Sequence, residues 1–465
     1  FPKFILTIIL AIMISFHNSL TNKVEPFVPL DDGEVKMYHC GPTVYDFVHI
    51  GNLRSFILAD LVRRYFEYTN FKVTQVMNIT DIGHLSGDGD DGEDKMTKAL
   101  KREGKPLTME AMQELADFYT ERFKEDTLSL SILPPHHLPK ASNHIQEDIE
   151  LIKELDAKGF VYKTSDGLYF DTSKDPHYGK LGGIGGTTES RIGEKSEKKN
   201  QRDFSLWKFN TELGYEAPWG HGFPGWHIEC SAMSQKYLGK TFDIHTGGMD
   251  LAPIHHNNEI AQSENACGCE FARVWLHNEF VILDGSKMAK SDGNIFKLKD
   301  IVEKGFSPLA YRYFLLLSHY RTPTNFSWEA LEAAQTAYRR LKETMNSEEG
   351  IVNEEYKSKF LGALENDLNT SQALAVVWDL IKDESVSKED KNSTLLDFDK
   401  VLGLNLIQNE FEVKEIPSDI QDLINEREVA RKNKDFAKSD EIRDLINKKG
   451  FVIKDSGDSY KISKI

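Results

Sequence analysis

The apolar positions along the chain switch repeatedly between strand and helix rhythms. Val35 to His39 is a short apolar-rich run that predicts a strand, and turn formers Cys40-Gly41-Pro42-Thr43 follow it. From Asn52 onward Leu53, Ile57, Leu61 and Tyr65 recur at every fourth position, predicting a helix that ends near Asn70. Phe71 to Asn78 reads as the next strand. A strand, a helix and a strand at this spacing suit a right-handed parallel crossover, so the expected fold class is α/β with a doubly wound parallel sheet. The rhythm returns later: Thr241 to His245 predicts a strand, Ile254 to Asn265 a helix, and Phe280 to Leu283 further apolar strands. After Trp328 the pattern is helical, with Leu331, Ala334, Tyr338, Leu341 and Met345 in register and a second helix from Ala363 to Ile381. Near the end, Asp435 reads as an N-cap and Gly450 as the residue just past a helix. No internal repeat is evident.

Two polar stretches interrupt this pattern. Residues 87–95 are acidic and glycine-rich, but twelve positions from Asp88 the site that a calcium loop fills with Glu is Ala99, so a solvated loop is expected. Residues 182–202 read as a surface loop in an inserted region, and Gly182-Gly183-Ile184-Gly185-Gly186 lacks the spacing of a dinucleotide fingerprint.

Composition narrows the function. The 465 residues are 40% apolar and 28% charged, neither disordered nor membrane-embedded, and long enough for about three domains. The net charge of −17 disfavours a protein that coats nucleic acid nonspecifically, although residues 421–465 are locally basic, with eleven Lys/Arg against nine Asp/Glu. Four cysteines are too few for a disulfide framework and suggest a reducing, cytoplasmic setting with free or metal-bound thiols. The apolar run Phe4 to Phe16 falls short of the ~20 residues that span a bilayer and lacks a signal-peptide cleavage site, so no membrane association is expected. Met13 is the expected natural start, with residues 1–12 lying upstream of it.

Candidate chemistry sits at the strand ends. His49-Ile50-Gly51-Asn52 occupies the turn from the first strand into the first helix, where open parallel sheets bind ligands and where a helix N-terminus suits phosphate. His49 can donate to a phosphate oxygen, and Gly51 allows close approach to the backbone. Lys287-Met288-Ala289-Lys290-Ser291 forms a cationic loop after a strand. Either segment alone fits an ordinary turn or solvated loop. For metals, His255 and Glu259 fall on one helix face, Cys40 and Cys230 lie at a strand or turn near the crevice, and Cys267-Gly268-Cys269 is by spacing the more compact motif.

Taken together, the first segment resembles the HIGH signature and the second the KMSKS signature of class I aminoacyl-tRNA synthetases. Tyr38-His39-Cys40-Gly41-Pro42-Thr43-Val44-Tyr45-Asp46, Asn78-Ile79-Thr80-Asp81, Gly225 to Met233 and His255-His256-Asn257-Asn258-Glu259 narrow the resemblance to cysteinyl-tRNA synthetases, from Met13 to the C-terminus. The resemblance implies a Rossmann-type catalytic domain over residues 13–295 with an insertion at about 140–225. It further implies a stem-contact region at 296–330, a helical anticodon-binding bundle at 331–415 and a small basic helical or mixed module at 416–465. It implies one Zn2+ per chain on Cys40, Cys230, His255 and Glu259, leaving Cys267 and Cys269 as buried or partly buried thiols and His256 as a core histidine or a neighbour of the ligands. ATP with Mg2+, L-cysteine and tRNA(Cys) are the implied partners of a monomer. His49, Gly51, Asn52, Lys287 and Lys290 would serve the phosphates, and Thr80, Trp226, His245, Gly247 and Asp250 would line the amino-acid and nucleotide pocket.

The implied zinc has a chemical purpose. Sulfur against oxygen is a small difference in an apolar pocket but a large one when a thiolate bonds a soft cation, and a site that loses a required bond rejects an analogue by roughly 10⁴–10⁵. Three departures from the family pattern stand out: Asn52 replaces the last His of the first signature, Ala289 replaces Ser in the lysine loop, and Pro253-Ile254 stands where Phe-Pro is common. Two rival expectations remain: a ligase joining cysteine to an amino sugar, and a non-catalytic RNA-binding homologue.

Overall fold

The computed structural model describes residues 14–83, 94–182, 197–283, 286–287, 295–345, 349–407, 418–433, 435–449, 451–456 and 459–464. The upstream segment 1–12, most of the acidic loop 87–95, most of the glycine run and Lys290 lie outside these residues. An N-terminal hairpin, β1 (Ser15–Asn18) and β2 (Lys23–Pro26), precedes β3 (Glu34–His39), α1 (Ile50–Tyr68) and β4 (Lys72–Met77). Helices α2 (Lys95–Arg102), α3 (Met109–Ser129) and α4 (Ile145–Ala157) lead into an antiparallel sheet of β5 (Val161–Lys163), β6 (Gly167–Phe170), β7 (Phe204–Phe209) and β8 (Gly222–Pro224). Next come α5 (Trp226–Leu238), β9 (Phe242–Gly248), a π-helical turn at Ala252–His256, α6 (Asn257–Cys267) and β10 (Ala272–Asn278).

The central sheet runs β10-β9-β3-β4 with every pairing parallel. The first strand of this sheet, β3, therefore lies between the strands of the two halves, and strand order reverses between β3 and β9. A crevice opens at such a switch point beyond the carboxyl ends of the strands, here just after His39 and Gly248. Every residue of β9 is buried, as a parallel strand covered on both faces requires. Helix α1 buries Leu53, Ile57, Leu61 and Tyr65, the positions that its periodicity marked. Its observed start is Ile50, two residues before the expected one, because His49 and Asn52 cap it reciprocally: His49 Nδ1 accepts from Asn52 N at 3.2 Å and His49 N donates to Asn52 Oδ1 at 3.3 Å.

Beyond the sheet, β11 (Val281–Leu283), β12 (Ser286–Lys287) and β13 (Thr324–Phe326) form a small sheet, with α7 (Leu298–Glu303) and α8 (Pro308–Leu316) between its strands. The helical region comprises α9 (Trp328–Glu343), α10 (Glu354–Glu365), α11 (Thr370–Lys382) and α12 (Lys388–Leu402). The single helix expected from Ala363 to Ile381 is instead two. Asp367 and Leu368 adopt left-handed φ values of 59° and 51°. The Asp367 carboxylate accepts from Tyr320 Oη, Arg321 Nε and His17 N at 2.6–2.8 Å, so tertiary bonds hold the break. Asn369 then caps α11. Finally α13 (Ser418–Lys432), α14 (Phe436–Lys448), capped by Asp435, and the hairpin β14 (Phe451–Ser456) and β15 (Ser459–Lys464) form the terminal module. Among the described residues no helix is long and apolar enough to cross a membrane.

One buried ion pair ties these parts together. Asp60 on α1 accepts from Arg312 Nη2 at 2.6 Å and Arg64 Nε at 2.8 Å, and Arg312 also donates to Leu130 O and Leu402 O. Asp60 and Arg312 have no more than 1% exposure. Removing one partner of such a pair strands a buried charge and costs about 3–5 kcal/mol. Arg312→Met is therefore expected to lower the denaturant midpoint sharply, and an unchanged midpoint in chemical unfolding would contradict the assignment.

Candidate active site

Four side chains converge just outside the switch point. Cys40 follows β3, Cys230 lies in the second turn of α5, and His255 and Glu259 face the same way across the junction of the π-turn and α6. Cys230 was expected on a strand or turn; its placement inside a helix is a correction, arising because Trp226 to Leu238 winds continuously from Gly225. All four are buried, and their candidate ligand atoms lie within 4.8 Å of one another. Cys40 Sγ donates to Glu259 Oε1 at 3.5 Å, and His255 Nε2 pairs with the same oxygen at 3.0 Å.

The electrostatics are those of ligands crowded together out of water. A hydrogen bond from Cys40 draws the Cys230 thiol down to about 6, while burial pushes Cys40 well above its ordinary value. Burial alone would lower His255, but Glu259 and Cys230 raise it to about 10. Burial likewise opposes ionisation of Glu259, yet His245 and His255 bring it down to about 2. Two sulfurs, an imidazole and a carboxylate are a donor set suited to Zn2+.

Outer contacts fix these groups. His255 Nδ1 shares a hydrogen bond with His227 Nδ1 at 2.8 Å, and His245 Nε2 meets Glu259 Oε2 at 2.9 Å. His256, buried as expected, sits between Cys40 Sγ at 3.4 Å and His277 Nε2 at 2.7 Å, and His277 continues to Ser19 Oγ at 2.8 Å. Cys40, His245, His256 and Glu259 make a second, overlapping set of converging groups. Supporting bonds of this kind orient metal ligands and fix their tautomers.

The expected pocket residues divide around this cluster. The Trp226 ring lies 4.2 Å from the His255 ring, and His245 stacks on Trp275 at 4.3 Å. Thr80 is buried and donates to Glu229 Oε2 at 2.9 Å. Gly247 packs against His256, whose ring would stand 2.6 Å from an added Cβ. Asp250 is exposed just beyond β9. His49, Gly51 and Asn52 form the N-terminus of α1, and Lys287 ends the short strand β12. Cys267 and Cys269 are not the thiols expected: they are joined by a disulfide, with Cα atoms 5.3 Å apart, because Gly268 turns the chain back at φ 73°. Sequence reasoning missed His227, Glu229 and His277. His227 precedes Cys230 by three residues and so shares its helix face, a signal that was available; His277 carried none.

Residues 26–336 match the profile of the tRNA synthetases class I (C) catalytic domain, and residues 413–461 that of the cysteinyl-tRNA ligase anticodon binding domain. With 15% identity and a TM-score of 0.53, the fold is similar to that of the Mycobacterium tuberculosis methionyl-tRNA synthetase in complex with methionyl-adenylate, over 80% of this chain and 90% of that one. Fold and profile together define a class I aminoacyl-tRNA synthetase.

Curated relatives sharpen this. The chain is 42% identical to cysteine–tRNA ligase 1 of Burkholderia lata over 97% of this chain and 96% of that protein, and 42% identical to the cysteine–tRNA ligase of Treponema denticola over 95% and 98%. The chain belongs to the cysteine–tRNA ligase family.

Backbone packing beside Cys40 leaves no slack. A Cβ added at Gly41 would fall 1.6 Å from Asn78 O, so one of the two segments must move. Gly41→Ala is expected to destabilise the protein by about 3 kcal/mol, the upper part of the usual overpacking range. A thermal midpoint within a degree of the parent would show that the segment yields freely.

Proposed function

We propose that the buried Cys40, Cys230, His255 and Glu259 cluster holds one zinc ion and that this ion selects L-cysteine for ATP-dependent ligation to tRNA(Cys). The observation that carries this reading is the convergence of two sulfurs, an imidazole and a carboxylate at the switch point of a class I synthetase fold. The two-sulfur set is preferred over the set with His245 and His256 because soft thiolates favour zinc. When bound, zinc supplies a soft Lewis acid that a substrate thiolate can bond, separating cysteine from serine.

The residues of the chain do the rest by position and charge. Trp226 and Thr80 wall the amino-acid side, His245 holds Glu259 in place, and Gly247 and Asp250 border the nucleotide side. The helix N-terminus at His49, Gly51 and Asn52 receives the phosphates of Mg-ATP. The cysteine carboxylate oxygen attacks the α-phosphorus, the bond from that phosphorus to the bridging oxygen breaks, and pyrophosphate leaves with Lys287 and Lys290 neutralising its charge. The terminal ribose hydroxyl of the tRNA then attacks the adenylate carbonyl carbon, releasing AMP. Residues 296–330, 331–415 and 416–465 carry the tRNA, the last by stacking and edge contacts to splayed bases. This RNA-binding module separates the reading from an amino-sugar ligase, and the lysines separate it from a non-catalytic homologue. A monomer in the cytoplasm is the form expected.

Two measurements test the reading. Purified protein is expected to carry one zinc per chain, with Cys230→Ser losing the metal and cysteine-dependent pyrophosphate exchange together; metal-free protein that activates serine as readily as cysteine would refute it. Lys290→Ala is expected to slow pyrophosphate exchange by about 10²–10³, the typical cost of one charged donor, and a wild-type rate would remove the lysine from the mechanism.

A further inference from the structure

The described residues on either side of the lysine segment are tied to the signature helix. Downstream, Ile50 N donates to Phe296 O at 2.9 Å and His49 bridges to Lys297. Upstream, the fastening is a side chain. Arg54, two residues past Asn52 on α1 and 3% exposed, donates from Nη1 to Phe280 O at 2.8 Å and from Nη2 to His319 O at 3.0 Å and Thr322 O at 2.7 Å. Phe280 O also accepts from Thr324 N at 2.9 Å, next to the first pair of the parallel β11–β13 ladder. On its other edge β11 pairs with β12, with Ile282 opposite Lys287. One guanidinium thus grips the roots of both strands that support the hairpin. Burial lowers its pKa to about 10, so it stays charged at neutral pH.

We propose that Arg54 is a positioning residue for amino-acid activation: it sets the β11–β12 hairpin, and Lys287 with it, at a fixed distance from the phosphate-facing end of α1. The inference rests on the role given above to Lys287. A planar fork can hold three carbonyls from two segments at once, whereas an ammonium on a flexible stem cannot fix their relative orientation. Reaction geometry rewards such fixing, because a misplacement of about 1 Å can cost on the order of 10²-fold in rate. An apolar residue here would fill the core but leave the hairpin root without its link to α1.

The test compares Arg54→Lys and Arg54→Gln with the parent as zinc-loaded, full-length protein. Zinc content and KM for cysteine report the thiol side and are expected to hold. Backbone amides of residues 281–287 should exchange faster than in the parent while those of β9 do not change, and kcat for cysteine-dependent pyrophosphate exchange should fall about tenfold or more. Combining Arg54→Lys with Lys287→Ala should cost less than the product of the separate losses. Parent-like exchange at 281–287 in both variants overturns the proposal, as does a parent-like kcat despite a loosened hairpin, or strictly multiplicative losses. If Lys287→Ala alone keeps the parent kcat, the lysine's role fails, and amide exchange together with kcat of the Arg54 variants still decides the clamp.

Discussion

A single buried carboxylate, Glu259, dictates the arrangement at the switch point. Its two oxygens take different partners: Oε1 faces His255 at 3.0 Å and Cys40 at 3.5 Å, and Oε2 faces His245 at 2.9 Å. An ionised carboxylate with no solvent exposure carries a desolvation penalty of several kcal/mol, so it persists only where its lone pairs are used. That requirement propagates outward. His255 is fixed by His227, and Cys40 touches His256, which is fixed in turn by His277 and Ser19. The same rule holds along β9, which buries Asp243, His245 and Thr246, a polar content that a parallel core strand tolerates only with partners: His245 meets Glu259, Asp243 accepts from Leu30 N and Lys36 N, and Thr246 shares a bond with His39.

This polarity would be costly for stability alone, since apolar residues of similar volume often pack as well or better than buried ion pairs. Its value lies in chemistry. Groups held this close and this dry have their protonation states set by one another rather than by solvent, and the soft cation of the proposed function would meet preorganised donors. The apolar core does the opposite job. Helix α1 spreads Leu53, Ile57, Leu61 and Tyr65 over the sheet, and Asp60 with Arg312 joins that helix to the ends of α3 and α12. The helical region is therefore fastened to the same helix whose first turn carries the proposed phosphate site.

Much of this was legible in the sequence because it is local. The period of α1, the turn after β3 and the strand–helix spacing each occupy a few dozen consecutive residues, and the structure has them nearly where the pattern predicts. The failures were non-local. The break at Asp367 and Leu368 is held by Tyr320, Arg321 and His17, none of them nearby in sequence, so helical periodicity ran through it. Cys267 and Cys269, the most compact pair by spacing, bond each other instead of joining the buried cluster. The sulfurs that do converge come from positions 40 and 230, and only the family resemblance, not spacing, singled them out. The four strands β5 to β8 of the insertion were likewise read only as an inserted region, since their order depends on antiparallel pairing across loops.

The two halves of the site meet through very little chain. In the proposed function Cys40 belongs to the thiol side and His49 to the phosphate side, and only eight residues lie between them. A substrate whose sulfur and carboxylate lie only a few bonds apart must engage both, so the connecting segment has to hold its shape. Its restraints are visible. Gly41 N donates to Asn78 Oδ1 at 2.7 Å, Val44 N to Thr80 O at 3.1 Å, and Thr80 N returns a bond to Pro42 O at 3.1 Å. Thr80 is itself anchored through its hydroxyl to Glu229, the residue before Cys230. The loop after β3 is thus laced to the end of β4 and, through one threonine, to the helix that supplies the second sulfur. A shift of α5 is then transmitted through the Thr80–Glu229 side-chain bond into the backbone bonds of Thr80 with Pro42 and Val44, a short chain that under the proposed function keeps thiol and carboxylate in register.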